Sequence, residues 1–396
     1  MVDGLRFVYK TIGLFWLWPF MLCGCQEAGP KDADGLLKRV LEGDELAIKS
    51  VMQHPQDYEL QMQLILPRDT TLFSVHHGGQ QSSNIERVDY SQGQYFYPAS
   101  TVKLPVAVMA AEWAELNPKI SLITPYCAAD DTLTHHLAQD LIDIFTISDN
   151  EAYNRLYDLL GRDYVNQRMA ELGLGDFRLA HRLSVADAAF SEHPVYYFDT
   201  AQGLWSYQAK ADRPIDSIKV RGTQKGVGYL QDGHLVSFPM DFSHKNYFPL
   251  ETMMQFMQVL FPMNCAECPS KFKWSQNTEV FVKTLMSTVP RKQGYDELEY
   301  PDGYVKFFFL GDGNQRLDPG LKIYNKVGYA YGTLTDIAYV VDTRNNLHYC
   351  LGATLLVNEN GIFNDNVYEY DEIGLPFLAQ VSKRLHELLL EAKSGG

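Results

Sequence analysis

The sequence predicts an α/β (α+β) fold. One antiparallel sheet, built from both ends of the chain, is flanked by helices and joined to a helical subdomain. Three observations carry this. Strand-like runs occur near residues 58–76 and again at 321–357. Helical periodicity fills residues 104–174 between them. A long amphipathic segment, Pro376 to Lys393, closes the chain.

Each element follows from local pattern. Leu36 to Met52 has apolar residues at helical spacing, interrupted at Gly43. Tyr58 to Leu66 alternates early and ends apolar, which reads as a strand. Pro67-Arg68-Asp69 makes a turn, and Thr71 to His76 a second strand. From Leu104 to Leu174 the composition favours helix throughout, with Gly175 near the C-cap of the last one. Residues 187–247 are aromatic, Gly-bearing and polar, and read as an insertion lying on the surface. Leu250–Phe261 and Thr278–Met286 return to helix. Leu321–Val327, Asp336–Asp342 and His348–Val357 are strands, with Arg344-Asn345-Asn346 turning between the last two. Pro376 is compatible with the final helix only in its first turn. With strands at both ends and helices between, the parsimonious layer is one sheet with helices around it.

Composition excludes some classes. The chain has 396 residues, 46% hydrophobic and 21% charged, which is globular rather than disordered. A formal charge of −15 argues against nucleic acid as a partner, since that needs a basic face. The 24 Tyr and 21 Phe suggest an ample core and an aromatic-lined groove, which is expected beside Ser100, under or along the insertion. Six Cys are too few for a disulfide scaffold. Cys265-Ala-Glu-Cys268 lacks a second pair or clustered His, so it reads as a local disulfide or two thiols, not a metal site. His135-His136 beside Asp130-Asp131 reads as a solvated helix start. Met253, Met254 and Met257 read as core. Glu369 to Glu372 reads as a solvated acidic run.

The N-terminus is expected to stand outside the fold. Arg6 and Lys10 precede a twelve-residue apolar run, Thr11–Leu22. A bilayer-spanning helix needs ~20 residues, so twelve fits the apolar part of an export signal. The run ends in Leu22-Cys23-Gly24-Cys25, which resembles a bacterial lipobox. The resemblance implies a signal over residues 1–24, a lipid on Cys25, a tether over 25–35, and a membrane-anchored protein facing the periplasm or cell surface. Residues 36–393 then form the folded domain, with the helical subdomain at about 104–310.

Three motifs carry chemistry. Ser100-Thr-Val-Lys103 sits at the start of a predicted helix. Three residues on a helix return to nearly the same face, which places an amine beside a hydroxyl. A neutral lysine there can take the serine proton. Ser148-Asp149-Asn150 opens a later helix, and Lys326-Val327-Gly328 lies on a predicted strand. Each alone is weak. In this order, with Pro-Ala-Ser-Thr-x-Lys, Ile-Ser-Asp-Asn-x-Ala and Gly-x-x-x-Asp-Ile-Ala around them, they resemble the class A β-lactamase and penicillin-binding serine hydrolases. The likeness covers roughly residues 35–180 and 250–393.

The resemblance implies roles. Ser100 is the nucleophile and Lys103 its base. Ser148 passes a proton to the leaving group. Asn150 bonds the substrate amide and Lys103. Lys326 steers a substrate carboxylate and holds Ser148. The backbone N–H groups of Ser100 and Tyr329 form the oxyanion hole, and Lys326, Val327, Gly328 and Tyr329 line the substrate path. No cofactor or metal is implied. The substrate is a small molecule or peptide, a β-lactam or cell-wall peptide.

Two departures bear on turnover. Ser184 and Ala188 stand where the family's deacylating Glu and its Asn partner occur, with Asp187 or Glu192 the remaining carboxylates. Val327 replaces a hydroxylated residue. The expectation is a β-lactamase-like hydrolase forming an acyl-enzyme on Ser100. The alternatives are a penicillin-binding D-Ala peptidase, and a lipoprotein that binds or senses cell-wall fragments or β-lactams without turnover.

Overall fold

A computed structural model describes residues 35–68, 84–129, 131–264 and 270–394. The signal segment, Cys25, Thr71–His76, Asp130 and the Cys265/Cys268 pair lie outside them.

At its centre is a five-stranded antiparallel sheet. Its members are β1 (Gln61–Ile65), β2 (Ile85–Asp89), β7 (Leu321–Ala330), β8 (Thr333–Asp342) and β9 (Leu347–Leu356), in the spatial order β7-β8-β9-β1-β2. Both chain ends therefore meet in one sheet, with Gln61 opposite Thr354 and Lys326 opposite Ile337. Alternation assigns the two faces. Leu64, Ala338 and Leu351 point into one apolar cluster. Ile65, Ile337 and Cys350 point into the other.

The first face is covered by α1 (Leu36–Leu41), α2 (Leu46–Gln53) and the closing helix α9 (Leu375–Ser394). The expected first helix is thus two, parted around Gly43. The second face carries α3 (Lys103–Leu116), α4 (Leu137–Thr146), α5 (Asn150–Leu160), α6 (Arg162–Glu171), α7 (Leu250–Leu260) and α8 (Gln276–Met286). α3 is buried without a break from Lys103 to Glu112, as an all-round apolar helix must be. Met253, Met254 and Met257 are core, as expected.

Several expectations need correction. The 104–174 block is not all helix. β3 (Pro125–Ala128) and β4 (His135–His136) interrupt it and join β5 (Tyr196–Thr200) and β6 (Gly203–Tyr207) in a four-stranded sheet. Tyr126 pairs with Phe198, a partner too distant for local periodicity to reveal. His135 is consequently a half-buried strand residue bonded to Asp131 at 2.7 Å, not a solvated helix start. α6 is capped by Leu172, with Gly173 at φ +81 and Leu174 N–H reaching Met169 O, so Gly173 and not Gly175 makes the turn.

The 187–247 segment is not simply a surface layer. Tyr196 and Phe198 are fully buried, and Trp205 and Tyr207 pack on Trp113, because these rings complete the helical core. Its later part is mixed: Val227, Leu235 and Phe238 are exposed, while Phe242 is fully buried against Tyr97 and Tyr331. Among the described residues no helix is long and apolar enough to cross a membrane.

Candidate active site

Ser100 lies in a short 3-10 turn, Ala99–Val102, that runs directly into α3. Pro98 O accepts both the Thr101 N–H and, at 2.6 Å, the Thr101 hydroxyl, which closes the turn. Ala99 is held at φ +46, a left-handed conformation a non-glycine residue adopts only under surrounding constraint. Ser148 (φ +56) and Ser184 (φ +57) share that state. The hydroxyl of Ser100 thus stands at the N-terminal end of the most buried helix, where the field favours negative charge.

Ser148 precedes α5, whose first turn is capped by Asp149 accepting from Ala152 N–H at 2.6 Å. The Lys103 amine is fully buried and donates to Ser148 O and, at 2.7 Å, to Asn150 Oδ1. It lies 3.4 Å from Ser148 Oγ. Lys326 reaches the same hydroxyl at 2.8 Å and its neighbour's carbonyl, Val327 O, at 2.9 Å. Burial lowers Lys103 to about 7, against a smaller opposing pull from Asp149. Burial also pushes Lys326 well down, helped by Lys103 nearby.

Glycine at 328 has a geometric cause. A Cβ there would meet Pro98 O at 2.8 Å, Thr101 N at 2.9 Å and Ser100 N at 3.0 Å. Only a bare Cα lets β7 lie against the Ser100 turn. The Asp336 of the Asp-Ile-Ala motif is buried behind Lys326. It accepts from Asn325 Nδ2 at 2.8 Å and from Phe308 N–H at 3.0 Å. Lys306 donates to Asn325 Oδ1 and, at 2.8 Å, to Met286 O. Burial raises the Asp336 carboxyl above its ordinary value and lowers the Lys306 amine below its own, each partly offset by the other's charge.

Ser184 comes to the site on a loop fixed from below. Asn154 bonds Leu183 in both directions at 2.9 Å, and Asn246 Oδ1 accepts from Ala180 and His181 N–H. Arg182 pairs with Asp158, and His193 spans Asp158 at 2.8 Å and Asp212 at 3.3 Å. Burial alone would lower His193. Its bonds to the two carboxylates outweigh that and lift it to about 9. The loop sets Ser184 Oγ 3.1 Å from Asn150 Nδ2.

A cavity of about 530 Å³ opens over these groups. Ser100, Ser148, Asn150, Ser184 and Tyr329 line it. Lys103 and Lys326 stand buried beneath, on the Ser148 hydroxyl. Neither Asp187 nor Glu192 lines the cavity. Val327 is corrected in position. Its side chain is in the apolar core on the far face of β7, because strand alternation turns it away from Lys326 and Gly328. Its carbonyl, not its side chain, joins the site.

The groove is not beneath the 187–247 insertion, none of which lines it. Its aromatic wall comes from Tyr97, Tyr304, Tyr331, Tyr368 and Tyr370, with Asn364 and Asn366 beside them. Sequence reading missed these. Glu369–Glu372 was expected to be a solvated run, yet its Tyr370 is half-buried and accepts from Gly332 N–H at 2.8 Å. The insertion does brace this wall, since Asn364 Nδ2 donates to Leu230 O and Ile362–Phe363 pairs with residues 228–229.

Residues 74–210 match the family model described as the beta-lactamase enzyme family. No curated protein sequence matches the chain. Among solved structures it is similar to a β-lactamase from Desulfarculus baarsii, at 13% identity and TM-score 0.50 over 89% of this chain and 98% of that one. A β-lactamase from Xanthomonas campestris aligns at 14% and 0.50, over 90% and 98%. The chromosome-encoded β-lactamase of Vibrio parahaemolyticus aligns at 12% and 0.50, over 86% and 97%. The chain shares the mixed α/β fold of those β-lactamases.

Proposed function

We propose that this β-lactamase-like chain is an acyl-transferring serine hydrolase whose acyl-enzyme on Ser100 is long-lived. The observation that carries the reading is the convergence of Lys103 and Lys326 on the Ser148 hydroxyl beside the Ser100 cavity. Ser100 Oγ bonds the carbonyl carbon of an amide, lactam or ester while Lys103 takes its proton. The developing oxyanion rests on the Ser100 and Tyr329 N–H groups, where each such donor is worth ~3–4 kcal/mol. The carbon–nitrogen or carbon–oxygen bond then breaks, and Ser148 supplies the proton to the leaving atom. Water releases the acid and restores Ser100.

That last step lacks its usual base. Serine is a poor general base beside a carboxylate near neutral pH, and Ser184 is held by Asn150. This favours slow release. It keeps in view a second reading as a D-Ala peptidase of penicillin-binding character, or a protein that stays acylated as a sensor.

The test is an intact-mass time course with a reporter penicillin. A persistent adduct supports the proposal, rapid return to free mass argues for efficient lactamase action, and no adduct removes lactam recognition. Release of D-Ala from a muropeptide would establish the peptidase. We also propose export and anchoring through Cys25. Cys25→Ser should leave the membrane fraction, and its retention there would contradict the anchor.

A further inference from the structure

The Ser100 cavity does not end at Tyr329. A second cavity of about 650 Å³ continues past it and shares Tyr304, Tyr329, Asn366, Tyr368 and Tyr370 with the first. Tyr329 stands at the junction, 46% exposed, with its ring 5.4 Å from Tyr370 and 6.1 Å from Phe307. The rings are held in place. Tyr370 accepts from Gly332 N–H, Tyr368 from Asn364 N–H at 2.7 Å, and Tyr304 packs edge-on to Tyr300 at 5.0 Å. The aromatic surface is therefore built before any ligand arrives.

The two charged side chains that line the second cavity are both acidic. Glu299 lines one side, while its neighbour Glu297 is paired with Arg316 outside the lining. Asp371 lines the other, in Glu369-Tyr370-Asp371-Glu372. Among the described residues, no Lys, Arg or His lines either cavity. Lys103 and Lys326 are buried on Ser148 and offer no open cation. A substrate carboxylate would meet acidic rims here.

Fixed tyrosine faces with carboxylates at the edge are the arrangement that attracts an organic cation. The ring quadrupole and the anionic rim act in the same direction. The net charge of −15 adds long-range attraction of the same sign. We propose that the Tyr304–Tyr329–Tyr370 cleft with Glu299 and Asp371 is a subsite for a cationic ammonium group, carried by the substrate beyond its reacting carbonyl. This deepens the acyl-transfer reading, on which its place beside a reacting carbonyl rests.

Two measurements test it separately from that reading. First, choline and its uncharged isostere 3,3-dimethyl-1-butanol are titrated against Ser100→Ala, which needs no catalysis. Choline should bind about tenfold more tightly, an advantage lost in the Glu299→Gln/Asp371→Asn double variant and reduced in Tyr370→Leu. Second, the active chain is given choline and 3,3-dimethylbutyl esters of one acid. The ratio of their acylation rates should favour choline about tenfold and fall towards one in the double variant. Equal binding of the two alcohols, or a choline preference untouched by the double variant, overturns the subsite. Choline binding without acylation by either ester would keep the subsite and remove the acyl-transfer reading.

Discussion

Lys326 donates to the Ser148 hydroxyl at 2.8 Å, and that hydroxyl also lies 3.4 Å from the Lys103 amine. Two buried amines thus share one small acceptor. Both ammonium forms are disfavoured by burial, and Lys103 disfavours that of Lys326 further by repulsion. The arrangement favours one neutral amine beside a proton-relaying hydroxyl.

The first consequence is a pH dependence. Lys103 is lowered to about 7. Below that it is protonated and cannot accept the Ser100 proton. Acylation rate should rise with pH through about 7 and then level off. Stopped-flow acylation between pH 5 and 9 reads this directly, and Lys103→Met should remove the titrating limb with most of the rate. A flat wild-type profile would contradict Lys103 as base.

Gly328 supplies a second prediction. Ala at 328 would bring its Cβ within 3.0 Å of backbone on the Ser100 turn, so either β7 or the turn must shift. Misplacement on this scale costs about 10²-fold in rate. Gly328→Ala should fold with a near-normal melting temperature but acylate about a hundredfold more slowly. Wild-type rates would mean that the contact does not set the site.

Release of the acyl group gives a third. Ser184 sits 3.1 Å from Asn150 at the cavity wall. A carboxylate there could activate water, and general bases contribute about 10²–10⁴-fold. Ser184→Glu should shorten the adduct lifetime by about tenfold or more while leaving acylation within a few-fold. An unchanged lifetime would show that water does not approach from that side.

The loop below carries its own titration. His193 is lifted from 6.5 to about 9 by Asp158 and Asp212. A raised folded-state value stabilises fully below pH 6.5 and loses that contribution as pH rises through about 9. Denaturation midpoints should fall across this window, and His193→Gln should flatten the fall. A wild-type midpoint that holds or rises there would contradict a charged His193.

How much of this was legible depends on distance along the chain. β7, β8, β9 and α9 follow from strand composition and a helical pattern that each segment carries alone. The Ser100, Ser148 and Lys326 clusters are equally local, so their order could be read, and the fold brings them to one hydroxyl. Strand alternation already implied that Val327 turns away from Lys326, though the triplet was read as one unit. The Tyr126–Phe198 pairing was invisible because its strands lie far apart in sequence. So was the tyrosine wall, whose members at 97, 304, 331, 368 and 370 converge only on folding. In the run Glu369–Glu372 the charges dominate the local pattern, and nothing local marks Tyr370 as a residue that turns in to Gly332 N–H.

The central claim is that Ser100 forms a slowly released acyl-enzyme with Lys103 as its base. The most direct measurement is the intact mass of the purified protein after exposure to a reporter penicillin or activated ester, with Ser100→Ala alongside. The account predicts a single stoichiometric adduct, mapped to the peptide containing Ser100, that outlasts the mixing time by many minutes and is absent from Ser100→Ala. An adduct of equal yield on Ser100→Ala, or none on the folded parent with either reagent, would contradict it.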